Sequence, residues 1–252
     1  MSLLRVENLS IHFGGIKAVN EVGFDVNPGE IFTIIGPNGA GKTTIFNLIS
    51  RIYPPTAGRI RFGDIELTEL APHRIAGVGI ARTFQNIELF EHATVLDNLL
   101  IGRHCHRRSS LLSDLLFLPS VHEEERADRE AVEHVIELLN LAHYRDSRVA
   151  GLAYGVRKVV ELGRALAMQP KLLLLDEPSS GLNTEETDDM AWWIRDIKDE
   201  LGITVLMIEH DMNLVGRVSD RVLAVNYGQV IASGTPVEVQ QHPDVIEAYL
   251  GG

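Results

Sequence analysis

Cysteine is almost absent: Cys105 stands alone among 252 residues. One thiol excludes an intrachain disulfide and a thiolate metal cage, and it suits a reducing compartment, with the cytoplasm as the expectation. Long apolar runs are missing as well. The longest, Leu111–Leu118, is interrupted by Ser113 and Asp114, and it falls far short of the roughly 20 residues that cross a bilayer. The first residues pass directly into a strand-like Leu3-Leu4-Arg5-Val6 pattern, with no basic stretch, apolar core and small-residue cleavage site, so export is not expected. A protein of this kind meets a membrane from its water side. Basic residues are also in short supply, 23 Lys+Arg against 35 Asp+Glu, for a formal charge of −12. A broad cationic surface is therefore lacking, and nucleic acid is not an expected partner.

Enough remains to build a core. The chain is 45% hydrophobic, with its 22 Gly and 10 Pro scattered, and it has no internal repeat, low-complexity tract or flexible linker. That composition suits one large domain, or one core carrying a small subdomain. Leu3–Leu9, Ile11–Phe13, Val19–Val26 and Ile31–Ile35 read as short strands punctuated by Gly14-Gly15 and Asn27-Pro28-Gly29, an antiparallel patch feeding a buried strand. After Lys42 the apolar spacing of Ile45, Leu48 and Ile49 is helical, and Pro54-Pro55 predicts its end before a further β-type run, Gly58–Phe62. Lys171–Leu175 and Ile203–Ile208 read as buried strands around a helical stretch, Glu185–Leu201, the order that a right-handed parallel crossover requires. The expectation is an α/β fold around a mostly parallel sheet.

Composition shifts in the middle of the chain. Thr94–Gly102 reads as a helix, Arg103, Arg107 and Arg108 as a solvated basic rim, and Glu123–Asn140 sets Val132, Val135, Ile136 and Leu139 on one helical face. Residues 90–165 are expected to form a helical subdomain inserted into a core of residues 1–89 and 166–252. Near the C-terminus two β-type runs flank Tyr227-Gly228, followed by a short helix ending at Leu250.

Gly36-Pro37-Asn38-Gly39-Ala40-Gly41-Lys42-Thr43 fits G-x-x-x-x-G-K-[ST] and sits between a predicted strand and a predicted helix. Glycines let the backbone turn tightly and aim its N–H groups inward, where they and the helix N-terminus can hold a polyphosphate; Lys42 adds a positive charge and Thr43 a hydroxyl for Mg²⁺. Thr44 continues the same phosphate-binding set. Downstream, Leu172–Leu175 delivers Asp176-Glu177 from a dry interior to the carboxyl edge of the sheet. Asp176 would hold Mg²⁺ through its water shell, leaving Glu177 to accept a proton from, or orient, an attacking water. His104-Cys105-His106, three adjacent residues, lacks a chelating spacing.

With these two motifs in place, three further segments make the chain similar to ATP-binding cassette (ABC) transporter ATPases over essentially its whole length. They are Gln85 within Arg82-Thr83-Phe84-Gln85-Asn86, the stretch Leu152-Ala153-Tyr154-Gly155, and His210 within Ile208-Glu209-His210-Asp211. It resembles most closely the branched-chain amino acid importer subgroup, through Phe13-Gly14-Gly15-Ile16-Lys17-Ala18-Val19, Gly181-Leu182-Asn183, the insertion around Leu111–Pro119, and Asn226-Tyr227-Gly228 through to the C-terminus. Lipopolysaccharide-transport ATPases look similar through the core, and urea and amide importers share the whole pattern, so the solute stays open.

The resemblance implies a P-loop NTPase (RecA-like) core, an N-terminal antiparallel β subdomain and an inserted helical subdomain, with ATP and Mg²⁺ as ligands. It implies that Phe13 stacks on adenine, that Gln85 reaches the metal and γ-phosphate and senses a membrane subunit, and that His210 is the switch histidine. Ala153, Tyr154 and Gly155 would close over the γ-phosphate held by an opposing ATPase subunit, identical or different. Partners would include membrane permease subunits and, indirectly, a periplasmic or extracellular solute-binding protein, at the cytoplasmic face of the membrane. Where the wider family has Ser, Gly and Gln, this chain has Ala153, Tyr154 and Val156; closure would then lean on backbone N–H groups and a helix dipole. Asn183 likewise replaces the more general Asp. The less favoured alternative is a non-transport ABC switch, which commonly carries two cassettes or a coiled-coil insertion that are lacking here.

Overall fold

Ten strands fall into two sheets in the computed structural model, which describes residues 2–106 and 119–250. Arg107, Arg108 and the run Leu111–Leu118 lie outside the described residues. The chain divides into two units, Met1–Gln85 with Lys171–Gly252, and Asn86–Pro170.

In the first unit, β1 (Leu4–Phe13), β2 (Ile16–Val26), β4 (Ala57–Phe62) and β5 (Ile65–Glu66) form an antiparallel sheet in the order β2-β1-β4-β5. The larger sheet contains β3 (Ile31–Ile35), β6 (Ile80–Arg82), β7 (Leu172–Asp176), β8 (Thr204–Ile208), β9 (Arg221–Asn226) and β10 (Gln229–Gly234) in the order β10-β9-β3-β8-β7-β6. Every pairing in it is parallel except that of β10 with β9. β3, β7 and β8 are buried at every position, which is why they read as unbroken apolar runs rather than alternating ones. One apolar core joins Leu4, Val6, Leu9 and Ile60 of the antiparallel sheet to Phe32, Ile34, Leu174 and Leu206 of the parallel one, with Ile45, Phe46, Leu48 and Ile49 of helix α1 (Lys42–Ile49).

Four details differ from the sequence reading. Ile11–Phe13 is not a separate strand but the end of β1, which continues through register shifts after Val6, Leu9 and Ile11. Helix α1 stops at Ile49, because Arg51 adopts a left-handed φ of 60°, before either proline is reached. The C-terminal region holds two helices, Pro236–Gln240 and Pro243–Leu250, where one was expected. Strand β6, unanticipated, pairs with β7 through Ile80↔Leu172, Ala81↔Leu173 and Arg82↔Leu174.

The second unit contains α2 (Val95–Gly102), α3 (Pro119–Leu138) and α4 (Tyr154–Ala167), and both α2 and α3 pack on α4. The apolar face expected on the middle helix is buried at Val132, Val135, Ile136 and Leu139. Thr94 and Asp97 close a reciprocal capping box on α2. Arg103 is not part of a solvated rim: it is buried, bonds Asp128 at 2.8 Å and donates to the Ala167 carbonyl at 2.9 Å, where it closes the last turn of α4. Helices α5 (Thr184–Asp199), α6 (Met212–Val218), α7 (Pro236–Gln240) and α8 (Pro243–Leu250) belong to the first unit.

Asn98, fully buried, accepts from Phe90 N–H at 2.9 Å and donates to the carbonyls of Phe90 at 3.1 Å and Thr94 at 2.9 Å. Its amide pins the loop that enters α2. Asn98→Ala strands those backbone groups, and chemical denaturation should show a loss of roughly 2–3 kcal/mol with an unchanged m-value.

Candidate functional site

Strands β3, β8, β7 and β6 are neighbours and run parallel, so their carboxyl ends open on a single edge of the sheet. In open α/β sheets ligands bind at that edge. Four segments leave it: the glycine-rich loop after β3, Glu209-His210 after β8, Asp176-Glu177 at the end of β7, and Thr83–Gln85 after β6. Backbone bonds carry the ladder one residue further at three of these exits. Glu177 N–H donates to Ile208 O at 3.0 Å, Glu209 N–H to Ile34 O at 3.3 Å, and Thr83 N–H to Leu174 O at 3.0 Å.

The loop depends on its glycines at two points. Gly36 has φ 155°, and a Cβ there would lie 2.1 Å from Val225 O; Gly41 has φ 100°, and a Cβ there would lie 2.5 Å from Ala18 O. Gly41 is the N-cap of α1, where no side chain caps the N-terminus and no acidic residue sits in the first turn. The helix thus presents the positive end of its dipole and its first N–H groups to an anion. The Lys42 ammonium is buried and donates to Gly36 O at 2.7 Å and Pro37 O at 3.0 Å. Burial pulls its pKa below the usual lysine value, and the charges of Glu177 and Asp176 oppose that pull. A cleft of about 290 Å³ is lined by Asn38, Gly39, Ala40, Gly41, Lys42, Thr43 and Thr44 together with Ala18, Gln85 and Glu177. Phe13, at the end of β1, is 45% exposed and meets Tyr53 edge-on at 5.3 Å; it is not among the residues that line that cleft.

The two carboxylates differ in environment. Asp176 is 2% exposed, and its Oδ2 accepts from Arg82 Nη2 at 2.9 Å, while its Oδ1 is buried with no hydrogen-bond partner among the described residues. Burial raises the Asp176 pKa, and the Arg82 hydrogen bond and charge pull it back down. Glu177 has φ 51°, a left-handed conformation that a non-glycine residue adopts at a cost. Its Oε2 accepts from Gln85 Nε2 at 2.8 Å, so two residues read separately from the sequence are bonded to each other. His210 is 56% exposed on its side chain, with Nδ1 4.0 Å from Glu177 Oε2 and 3.9 Å from Glu209 Oε2, beyond hydrogen-bond range.

Sequence reasoning missed Arg82 and Glu209. Glu209 is fully buried and accepts from the N–H groups of Ser179, His210 and Asp211 at 2.9, 2.9 and 3.2 Å, which fixes the turn that carries His210. The available signal was a charged residue at the end of an apolar run, Ile80-Ala81-Arg82 and Leu206-Met207-Ile208-Glu209. Thr43, Gln85 and Asp176 supply oxygen donors of the kind a hard cation takes. A buried carboxylate oxygen without a donor is what a cation's water shell would satisfy, so these residues fit Mg²⁺.

Ala153, Tyr154 and Gly155 lie in the second unit. Helix α4 starts at Tyr154 with Ala153 as N-cap, no side-chain cap and no acid in its first turn; Gly155 is buried, and the Lys158 ammonium lies 6.0 Å over the Tyr154 ring. In the first unit, Asn183 is the N-cap of α5, exchanging bonds of 3.0 Å with Glu186 in a capping box, so its amide has a local structural use.

A phosphate-type loop whose strand neighbours deliver a carboxylate pair and a glutamine to the same edge is the arrangement of an ATP-binding cassette, and the chain belongs to the ABC transporter family, whose profile matches residues 19–180. It is an ABC transporter ATPase. Residues 229–252 match a second profile, Branched-chain amino acid ATP-binding cassette transporter. The high-affinity branched-chain amino acid transport ATP-binding protein BraF of Pseudomonas aeruginosa is 42% identical over 249 residues, covering 99% of this chain and 98% of that protein. The corresponding LivG of Escherichia coli is 42% identical over 252 residues, with the same coverage. Among solved structures, the ADP conformation of an ATP-binding cassette of an ABC transporter superposes with TM-score 0.87 at 36% identity, and a nucleotide-free cassette with 0.86 at 35%, each covering 100% of both chains.

The loop geometry sets an expectation for Gly41. Gly41→Ala places a methyl 2.5 Å from Ala18 O at φ 100°, so calorimetric ADP affinity should fall at least about tenfold while far-ultraviolet circular dichroism is retained.

Proposed function

We propose that this chain is the ATP-hydrolysing subunit of a branched-chain amino acid importer, acting at the cytoplasmic face of the membrane with separate permease subunits and a second cassette. An extracytoplasmic solute-binding protein takes part indirectly. No helix among the described residues is long and apolar enough to cross a membrane, in keeping with a subunit that borrows its membrane path. The observation that carries the reading is the shared cleft of the glycine-rich loop, Gln85 and Glu177. The names of the relatives, together with the match at residues 229–252, support the choice of solute.

The triphosphate is held by the backbone N–H groups of Gly36, of Asn38 to Gly41 and of Lys42, Thr43 and Thr44, at the positive end of α1, while Pro37, which has no N–H, only shapes the turn. Lys42 exchanges its two carbonyl acceptors for phosphate oxygens, a charge-assisted bond that outweighs the neutral pair it leaves. Thr43, Gln85 and Asp176 would hold Mg²⁺, which would supply positive charge against the triphosphate. Phe13 offers an aromatic face to adenine, worth on the order of 1 kcal/mol. Glu177 takes a proton from water as the water oxygen bonds to the γ-phosphorus and the bond to the bridging oxygen breaks, releasing ADP. For that, Glu177 must exchange its bond from Gln85 for one from water. His210, on the neighbouring strand exit, is the switch histidine of the site.

Ala153, Tyr154 and Gly155 act on a nucleotide bound to the opposing cassette. Neither Ala153 nor Val156 carries a side-chain donor, so the bare N-terminus of α4 meets the γ-phosphate with backbone N–H groups. One cassette is then half of each active site, and ATP-driven pairing is the motion passed to the permease.

Two variants separate binding from chemistry. Lys42→Ala should lose nucleotide affinity, whereas Glu177→Gln should keep it and lose turnover by about 10² to 10⁴; equal loss of ATP binding in both would contradict these roles. For the solute, cells lacking this chain should lose uptake of radiolabelled leucine and keep uptake of urea. The reverse pattern would assign the chain to a urea or amide importer.

A further inference from the structure

Arg82 has no part in the chemistry described above, yet it is held from more directions than a stabilising ion pair requires. Its Nη2 donates to Asp176 Oδ2 at 2.9 Å, and its Nη1 donates to Asn47 Oδ1 at 2.8 Å and Ser50 Oγ at 3.1 Å. Ser50 Oγ in turn donates to Phe46 O at 2.8 Å, so its lone pairs are left to face Arg82. The guanidinium carbon lies 5.5 Å from the Phe46 ring centroid and 5.2 Å from that of Phe84. The pair is deeply buried, with side-chain exposures of 9% for Arg82 and 2% for Asp176.

A buried ion pair is a poor way to gain stability, since an apolar pair of similar volume commonly does as well or better. What a planar, five-donor group adds is geometry. Asn47 and Phe46 lie on α1, and Ser50 caps its C-terminal end. This is the helix that begins at the phosphate-type loop and carries Thr43 in its first turn. Arg82 therefore ties the end of β7 to that helix, and it engages one carboxylate oxygen while the other stays buried without a partner.

We infer that Arg82 is a positioning residue for the metal: by holding Asp176 Oδ2 against α1, it leaves Oδ1 as the oxygen available to the water shell of Mg²⁺ and fixes its place relative to the Thr43 hydroxyl. Arg82 touches neither nucleotide nor metal. Its effect is on metal affinity rather than on nucleotide affinity. The inference rests on the reading of Asp176 as the residue that holds Mg²⁺.

The test uses the full chain, with ADP affinity measured calorimetrically in EDTA and across a Mg²⁺ titration, alongside thermal unfolding, for the unaltered protein, Arg82→Lys and Arg82→Gln. In EDTA all three should bind ADP within about threefold of one another, because no phosphate contact is lost. The Mg²⁺ concentration that gives half of the affinity gain should rise about tenfold or more in Arg82→Gln, the range seen when partners of metal-holding groups are removed. Arg82→Lys should fall between, since an ammonium keeps one bond to Asp176 but cannot also fork to Asn47 and Ser50. If Arg82→Gln does not fold, Arg82→Lys decides the matter by its Mg²⁺ midpoint. Unchanged Mg²⁺ midpoints, with or without a lower unfolding temperature, would make Arg82 a structural residue and overturn the inference. An unaltered protein whose ADP affinity ignores Mg²⁺ would overturn the metal reading itself, and this inference with it, before any variant is considered.

Discussion

The parallel register of β3, β8, β7 and β6 decides where every polar group of the site can be. Ile34 pairs with Ile208, and Ile208 with Asp176, so two strands separated by an intervening one end level with each other. A one-residue slip of β7 would turn Asp176 to the opposite face and break its reach to Arg82, because side chains alternate along a strand. The apolar residues on both faces of these strands make such a slip costly. The dry core that fixes the register also makes the edge a place where charges arrive already stripped of water.

That dryness explains how the site is wired. Lys42, Asp176, Arg82 and Glu209 are all buried or nearly so, and each finds specific partners: loop carbonyls for Lys42, a guanidinium for Asp176, three backbone N–H groups for Glu209. Asp176, Arg82 and Glu209, held in this way, need little rearrangement when a polyphosphate arrives, which is the condition for electrostatic preorganisation, whereas Lys42 has its loop carbonyls to give up. At and just past the end of β7 two features are held out of their lowest-energy state, the unpartnered Asp176 Oδ1 and the left-handed backbone of Glu177. Both lie where nucleotide chemistry would occur, and binding can draw on both. The Gln85–Glu177 bond adds a constraint between the β6 exit and the β7 exit that any bound water must replace.

Much of this was legible in the sequence because the chemistry is contiguous there. The glycine-rich loop and the Asp-Glu pair each occupy a few adjacent residues, and the apolar strands that precede them are strong signals. What escaped is long-range or brief. Strand β6 has three residues and follows a run of single-turn helices, too short for a period to show. Arg82 meets Asp176 94 residues later, so nothing beside it in the sequence marks its use, and Arg103, read as part of a solvated rim, meets Asp128 25 residues later. Asn183 looked like a substituted functional residue, yet its amide caps a helix, a use that its position three before Glu186 does encode. The end of α1 was misjudged because prolines attract attention, whereas the break is made earlier by the left-handed Arg51.

The central claim is that four separate strand exits act as one nucleotide site. Hydrogen–deuterium exchange on the intact protein, with and without Mg²⁺ and a non-hydrolysable ATP analogue, tests it most directly. The account predicts that added ligand slows exchange together across residues 36–46, 83–86, 176–179 and 208–211, the segments that leave β3, β6, β7 and β8. Protection confined to residues 36–46, with the other three exits exchanging as in the free protein, would contradict it.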